Sequence, residues 1–202
     1  MEYLSFNKYL KDKFGQKVYK ISLDGGFTCP NRDGKAGTQG CIFCSKGGSG
    51  DFAESREMSI TEQIESGKKK VEKKIKSGKY IAYFQAFTNT YAPVEILRQK
   101  YEEAINHPDI VALSIATRPD CLGDDVLRLL NEMNKIKPVF VELGLQTIHQ
   151  KSAKYIRRGY DLSVYNKAVR DLKKIGVNVV VHVILGLSLI HISEPTRQEA
   201  IS

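Results

Sequence analysis

Three of the chain's four cysteines lie within one sixteen-residue segment, CPNRDGKAGTQGCIFC. Cys41 and Cys44 are two residues apart, and a segment with three glycines separates them from Cys29. Thiolates are ligands for soft metal centres, and glycine allows the turns that would bring the first thiolate beside the other two. We therefore expect Cys29, Cys41 and Cys44 to bind one metal centre.

A set of three thiolates leaves the nature of that centre open. Structural zinc usually has four protein ligands, no histidine lies nearby, and Cys121 is the available fourth thiolate. Iron–sulfur clusters normally also use four cysteines, so three would suit a [4Fe–4S] cluster with one iron open to another ligand. The zinc alternative would make the chain a non-catalytic, metal-stapled and basic RNA-binding module. A third alternative is an α/β domain with free thiols.

The cysteine segment follows the first of five apolar runs that have strand character. Their near-continuous Val, Ile, Leu and aromatic content is typical of strands buried on both faces of a parallel sheet. The predicted strands are residues 17–23, 80–87, 110–117, 138–145 and 178–185. Helical patterns alternate with them, over about 60–77, 93–106 and 124–134, and from a predicted N-cap at Ser163 to Gly176.

This alternation of strands and helices predicts an α/β fold with a parallel sheet. An open Rossmann-like sheet and a barrel both fit it, and sites in both architectures form at the carboxyl ends of the strands. The cysteines lie at such an end. A Gly-x-Gly-x-x-Gly fingerprint and a P-loop are both absent from the sequence, which argues against a nucleotide dehydrogenase or an ATPase.

The composition is that of a globular protein, with 202 residues, 42% hydrophobic and 27% charged. The sequence has no apolar run long enough to span a membrane and no secretory signal, so we expect a cytoplasmic protein without a membrane partner. Thiols stay reduced in that compartment. The formal net charge of +8 makes RNA a candidate partner. The lysine-rich run 67–79 instead indicates the solvated side of an amphipathic helix.

The last sixteen residues, LSLIHISEPTRQEAIS, do not continue the strand–helix pattern. Residues 187–197 read in frame as the translation of a transposase-type sequencing adapter. We therefore expect residues 1–186 to be the protein's own, incomplete core and residues 187–202 to be a non-native tail. We also expect the natural protein to continue beyond Gly186.

The cysteine segment, together with ATRPDCL and ELGLQT, resembles the radical S-adenosylmethionine (SAM) superfamily. More narrowly, it resembles a bacterial subfamily akin to the Elongator catalytic subunit and to oxygen-independent coproporphyrinogen oxidase. The long gap after Cys29 departs from the usual C-x3-C-x2-C spacing. The resemblance covers residues 3–186 and implies a partial parallel (β/α)6 barrel, truncated after strand five.

The resemblance also implies an activity. In the family, SAM chelates the open iron of a [4Fe–4S] cluster, and a one-electron reductant such as flavodoxin or ferredoxin supplies the electron. Reductive cleavage of SAM gives a 5′-deoxyadenosyl radical that abstracts hydrogen from a substrate. The substrate here is unknown, with RNA as a candidate. Ala116 stands where Elongator relatives have glutamate, so the resemblance does not imply a shared substrate.

Several SAM contacts follow from the same resemblance. Those at the end of strand two would involve Gln85, Thr88 and Asn89, although polar residues there are also ordinary helix caps. In the later part of the chain, Gln146 would contact SAM, Arg158 its carboxylate, His182 its ribose and the backbone from Ile184 its adenine. The alternatives are a surface loop for Arg157 and Arg158 and a satisfied core residue for His182.

Overall fold

The computed structural model describes residues 4–48, 50, 53–72 and 78–187. Five parallel strands form one sheet in the order β1-β2-β3-β4-β5. The strands are Val18–Leu23 (β1), Lys79–Phe84 (β2), Ile110–Thr117 (β3), Val139–Gln146 (β4) and Asn178–Val183 (β5). The α-helices are Phe6–Phe14 (α1), Ile60–Glu72 (α2), Val94–Ile105 (α3), Asp124–Ile136 (α4), Gln150–Tyr155 (α5) and Leu162–Lys174 (α6). A short 3-10 helix spans Pro119–Cys121.

The strand order decides between the two architectures that the sequence allowed. Each strand pairs with the next one in the chain, so every crossover advances in the same direction and the order never reverses. A doubly wound sheet requires such a reversal, whereas a barrel does not. The sheet is therefore a five-stranded partial barrel.

One face of the sheet packs against the crossover helices. Strand side chains such as Leu23, Phe84 and Val141 share a buried core with helix side chains such as Leu97 and Leu129. The opposite face is concave. At the amino ends of the strands, α1 covers it with Leu10, which belongs to a second core cluster with Val18, Ile81, Ala112 and Phe140. The concave face is therefore covered at the amino ends of the strands and open at their carboxyl ends.

Several predicted boundaries differ from the structure. Asp161, not Ser163, is the N-cap of α6, because the chain is already helical from Leu162. The helix predicted over about 60–77 corresponds to α2, which is described to Glu72, and residues 73–77 lie outside the described part. The helices α1 and α5 were not predicted. None of the helices in the described part combines the length and apolar character needed to cross a membrane.

The sequence predicted strands that are buried on both faces. The central strands are buried in this way, but β5 is not. Val181 and Val183 are 47% and 53% exposed, because β5 forms an edge of the sheet.

Candidate cofactor site

A cavity of about 660 Å³ opens at the carboxyl ends of the strands, on the concave face. All three cysteines of the loop line it. So do six of the seven residues predicted to contact a cofactor, namely Gln85, Thr88, Gln146, Arg158, His182 and Ile184. The fold thus brings together residues that are up to 155 positions apart, from Cys29 to Ile184. This convergence makes the cavity the candidate functional site.

The cysteine loop is held in place by a buried asparagine. Asn31 is 3% exposed, and its Nδ2 donates to the Arg157 carbonyl at 2.7 Å and to Cys41 Sγ at 3.2 Å. Cys41 Sγ also lies 3.4 Å from the same carbonyl. The turn at residues 157–159 therefore positions the loop. Gly159 is required there, since a Cβ at its φ of +81° would lie 2.6 Å from Asn31 Oδ1.

A hydrogen bond between the thiols of Cys44 and Cys41 shifts their pKa values in opposite directions. A hydrogen bond from Cys44 lowers the pKa of Cys41 to about 6, with help from Asn31 and in opposition to burial. The pKa of Cys44 is raised because its thiol donates that hydrogen bond and is partly buried. Thiolate is the form of cysteine that ligates metals. Three cysteines that line one cavity, one of them already favouring thiolate, therefore form a donor set that fits an iron–sulfur cluster.

Cys121 lies outside this arrangement. It lines a separate cavity of about 660 Å³ with Lys35, Thr90 and Tyr91, and it does not line the cavity of the loop cysteines. Burial, followed by the charge of Asp120, raises the pKa of Cys121 to about 12. The structure thus offers three thiolates in one cavity rather than four.

The zinc alternative needs Cys121 as its fourth ligand, and Cys121 lines a different cavity from the three loop cysteines. In the described part of the chain, only Glu65, His107 and Asp109 bring three ligand atoms within 4.8 Å of one another, as ligands of a single ion would be. That set already has a cation, because Lys68 Nζ lies 2.8 Å from Glu65 Oε1 and 2.6 Å from Asp109 Oδ2. It is an ion-pair network of the surface.

A layer of polar side chains, one from each strand, adjoins the cavity, and three of its members, Tyr83, Glu142 and His182, line it. Glu142 on β4 lies at its centre, with a side chain only 2% exposed. His182 Nε2 lies 2.7 Å from Glu142 Oε2, while Lys20 and Ser114 both donate to Oε1. Lys20 Nζ also lies 4.2 Å from the ring centroid of Tyr83. We call these five residues the polar layer.

The polar layer keeps Glu142 ionised. Burial disfavours the carboxylate, but the hydrogen bond from His182, the charge of Lys20 and the hydroxyl of Ser114 outweigh it. Together they lower the pKa of Glu142 to about 2. Since a carboxylate only accepts hydrogen bonds, His182 Nε2 must carry a hydrogen, which leaves Nδ1 as the other polar atom of the ring.

The end of β4 is irregular where it meets the cavity. The register with β5 shifts between Gly144 and Gln146, and Gln146 has a φ of +62°. A left-handed backbone at a non-glycine residue is strained and needs support from its surroundings. Tyr160 Oη donates to the Gly144 carbonyl at 2.6 Å, and Ile184 N–H donates to the Gln146 carbonyl at 3.0 Å. This irregularity gives the Gln146 amide its place at the cavity.

Arg158 lines the cavity, but most of its N–H groups donate hydrogen bonds to backbone carbonyls. It is 1% exposed, so the alternative prediction, that Arg158 is a residue of a surface loop, is wrong. Its Nη1 donates to the carbonyls of Leu145 and Thr147 at 3.0 and 2.6 Å, and its Nε and Nη2 donate to Tyr160 O. Four of its five N–H groups are thus used, which leaves one for a ligand. Arg157 is the exposed member of the pair.

The residues predicted at the end of strand two divide into two groups. Gln85 and Thr88 line the cavity. Asn89 does not, because it is fully buried and its Nδ2 and backbone N–H both donate to the Ala116 carbonyl, at 2.9 and 3.1 Å. Tyr101 donates in turn to the Asn89 carbonyl. Asn89 therefore ties β2 to β3 beneath the site.

Sequence reasoning missed the roles of Asn31, Lys20, Arg118 and Tyr160. The signal for Lys20 was a lysine inside an apolar strand. Arg118 is 8% exposed, makes two hydrogen bonds with Asp120 and donates to the Arg158 carbonyl at 3.0 Å. No local pattern of residues indicated a role for Asn31 or Tyr160.

The fold and the cysteine site together define a class, and the chain matches the sequence profile of the Radical SAM superfamily over residues 32–194. It belongs to that superfamily, as the resemblance of its motifs implied. The chain is 51% identical to the uncharacterized protein YtqA of Bacillus subtilis over 187 residues, which are 93% of this chain and 58% of YtqA. The chain thus spans somewhat more than half the length of that relative.

Two further comparisons concern relatives of the Elongator type. A tRNA uridine(34) acetyltransferase of Methanocaldococcus jannaschii is 37% identical over 89 residues, which cover 44% of this chain and 16% of that protein. The solved structure of Elp3 from Methanocaldococcus infernus, with an N-terminal deletion, superposes with a TM-score of 0.55 at 20% identity. It covers 90% of this chain and 42% of that one, and it supports the fold assignment.

Proposed function

We propose that this chain is the core of a radical SAM enzyme that holds a [4Fe–4S] cluster through Cys29, Cys41 and Cys44 and binds SAM in the adjoining cavity. The observation that carries the proposal is the convergence of these three thiols on one cavity at the carboxyl ends of the strands. When bound, the cluster and SAM would supply a 5′-deoxyadenosyl radical for hydrogen abstraction from a substrate.

The chain's own residues would position and shield these groups. Asn31 orients the Cys41 sulfur, and the polar layer fixes His182 with one ring nitrogen committed to Glu142. Gln146 and the backbone at Ile184 offer neutral hydrogen-bonding groups on the other wall, which suit a nucleoside. The remaining free N–H of Arg158 is available to an anionic group. A single N–H binds a carboxylate more weakly than a bidentate arginine pair would.

The wider setting of the enzyme is also proposed. An RNA substrate is supported by the net charge of +8 and by the tRNA-modifying relative. A flavodoxin or ferredoxin in the cytoplasm would supply the electron. This chain covers 58% of YtqA, and we propose that substrate-binding residues also lie in a region corresponding to the rest of that relative.

The test is low-temperature electron paramagnetic resonance of the full chain, reconstituted anaerobically with iron and sulfide, reduced, and measured with and without SAM. We expect a [4Fe–4S]+ signal whose g-values shift when SAM is added, because SAM would ligate the open iron. A cluster signal indifferent to SAM would contradict SAM binding. Stoichiometric zinc without any cluster would contradict the whole proposal and favour the metal-stapled module.

A further inference from the structure

The buried side-chain amide of Asn31 donates a hydrogen bond to one of the candidate cluster ligands. Its Nδ2 lies 2.7 Å from the Arg157 carbonyl, 3.2 Å from Cys41 Sγ and 3.4 Å from the Arg158 carbonyl. An amide nitrogen carries two hydrogens, so it cannot serve three acceptors equally. The Arg158 carbonyl is the most distant of them and already accepts from Arg118 Nη1 at 3.0 Å. The two hydrogens of the amide are therefore directed at the Arg157 carbonyl and at Cys41 Sγ.

The chemistry of these neighbours fixes which end of the Asn31 amide faces them. Carbonyl groups only accept hydrogen bonds, so Nδ2, and not Oδ1, must lie against them. A sulfur that ligates iron likewise has no hydrogen to donate. On ligation, the contact of Cys41 Sγ with the Arg157 carbonyl, 3.4 Å in this structure, would lose its hydrogen. The contact with Asn31 would instead be strengthened by the negative charge on the sulfur.

The donor is held rigidly beside the sulfur. The backbone carbonyl of Asn31 accepts from the N–H of Gly40, the residue before Cys41, at 2.8 Å. The side chain is buried and tied to the Arg157 carbonyl. A fixed donor that is shielded from water acts more strongly on a nearby charge than a mobile, solvated one. Asn31 is therefore placed to act on the charge of the Cys41 sulfur, in addition to joining the loop to the turn.

We propose that Asn31 raises the reduction potential of the cluster through its hydrogen bond to Cys41. The inference rests on the proposed function, in which a one-electron reductant converts [4Fe–4S]2+ to [4Fe–4S]+. Part of the added negative charge falls on the ligand sulfurs, so a hydrogen bond to one of them stabilises the reduced form more than the oxidised form. Hydrogen bonds to the sulfurs are among the factors that set cluster potentials. Asn31 is thus a positioning residue that acts through Cys41.

The test is a redox titration of the reconstituted full chain without SAM, monitored by electron paramagnetic resonance. Asn31→Ala removes the donor to Cys41. The control is Gln39→Ala, because Gln39 accepts a hydrogen bond from Arg157 Nη1 and so also links the cysteine loop to the turn. Both substitutions replace a neutral amide with alanine and remove one link between the loop and the turn. Of the two amides, that of Asn31 is the one that donates to Cys41 Sγ.

We expect Asn31→Ala to make the reduction potential more negative. At a fixed applied potential near the wild-type midpoint, the ratio of reduced to oxidised cluster should fall about three- to tenfold, where tenfold corresponds to about 59 mV for a one-electron couple. Gln39→Ala should keep the wild-type potential, even if it retains less cluster. Equal potentials in all three proteins, or an equal shift in Gln39→Ala, would overturn the proposal.

A second measurement needs no variant and decides the question even if Asn31→Ala retains no cluster. The wild-type chain is produced with asparagine that carries ¹⁵N in its side-chain amide, and the reduced cluster is examined by pulsed electron paramagnetic resonance. We expect a weak ¹⁵N coupling, transmitted through the hydrogen bond between Asn31 Nδ2 and Cys41 Sγ. A cluster without any such coupling would overturn the proposal.

The two proposals fail separately. Because the titration is run without SAM, a cluster signal indifferent to SAM would contradict the proposed function and leave the comparison of potentials intact. A SAM-responsive cluster with one potential in all three proteins would leave the proposed function standing and overturn the role of Asn31. A wild-type chain that assembles no cluster would contradict both.

Discussion

Glu142 and His182 lie on neighbouring strands of the sheet, and their side chains are joined by a hydrogen bond of 2.7 Å between Oε2 and Nε2. Glu142 is buried and His182 is half-exposed at the cavity. The pair therefore couples the buried charge of the polar layer to a ring that a ligand can reach.

Glu142→Gln should destabilise the fold in a pH-dependent manner. The pKa of Glu142 falls from its ordinary 4.5 to about 2, which corresponds to about 3 kcal/mol. A lowered pKa in the folded state stabilises the protein above pH 4.5, and this contribution is lost as the pH falls toward 2. Urea unfolding should thus show a large difference between wild type and variant at pH 7 that shrinks steadily below pH 4.5.

The control for this experiment is Glu132→Gln, because Glu132 pairs with Arg98 on the exposed surface. It should change the free energy of unfolding by less than about 1 kcal/mol. A destabilisation by Glu142→Gln that did not vary with pH would contradict the ionised state of Glu142.

The adjacent arginines 157 and 158 should respond very differently to lysine. Arg158→Lys removes the planar fork of a buried side chain that reaches three backbone carbonyls, so we expect a loss of about 2–4 kcal/mol in the free energy of unfolding. Arg157→Lys changes an exposed side chain and should cost less than about 0.5 kcal/mol. Similar losses for the two variants, measured by urea unfolding, would show that the buried network is not maintained in solution.

Gly67→Ala should destabilise the protein although alanine is the better helix former. A Cβ at Gly67 would lie 2.4 Å from Cγ2 of the buried Ile21, so α2 would have to move away from β1. The cost of overpacking, about 1–3 kcal/mol, exceeds the gain of about 1 kcal/mol in helix propensity. Lys69→Ala, on the exposed side of the same helix, is the matched control. A Gly67→Ala protein with a higher thermal midpoint would refute the close contact.

Serine variants of the four cysteines test the ligand set directly. Cys29→Ser, Cys41→Ser and Cys44→Ser should each lose most of the iron and sulfide retained after reconstitution and desalting. Cys121→Ser should retain the wild-type content, since that thiol faces a different cavity. Loss of the cluster from Cys121→Ser, with the fold intact by circular dichroism, would instead make Cys121 a fourth ligand.

Much of the site could be predicted from the sequence because its signals are local. The cysteine spacing, the apolar strand runs and the polar residues that end them place Cys29, Gln85 and Gln146 at one edge of any parallel sheet. The contact of Asn31 with the Arg157 carbonyl spans 126 positions and depends on left-handed backbone at residues 157 and 159. No local pattern encodes such a contact.

The errors have equally specific causes. Asn89 follows an apolar strand just as Thr88 does, but only the structure shows that its amide is used by the Ala116 carbonyl. Ser163 and Asp161 are both good N-cap residues, and their separation of two positions is within the usual uncertainty of helix ends. The use of four Arg158 N–H groups by backbone carbonyls could not be predicted either, because no local pattern brings those carbonyls to its side chain.

The pairing of Lys20 with Glu142 also has a consequence for the order of folding. It joins residues 122 positions apart on β1 and β4 and so closes a long loop. The entropic cost of closing that loop is offset only after the intervening strands have paired. We expect this contact to form late, after the helices have packed on the outer face. A ligand held above it would then recognise only the completed fold, and its binding free energy would add to global stability rather than to that of any folding intermediate.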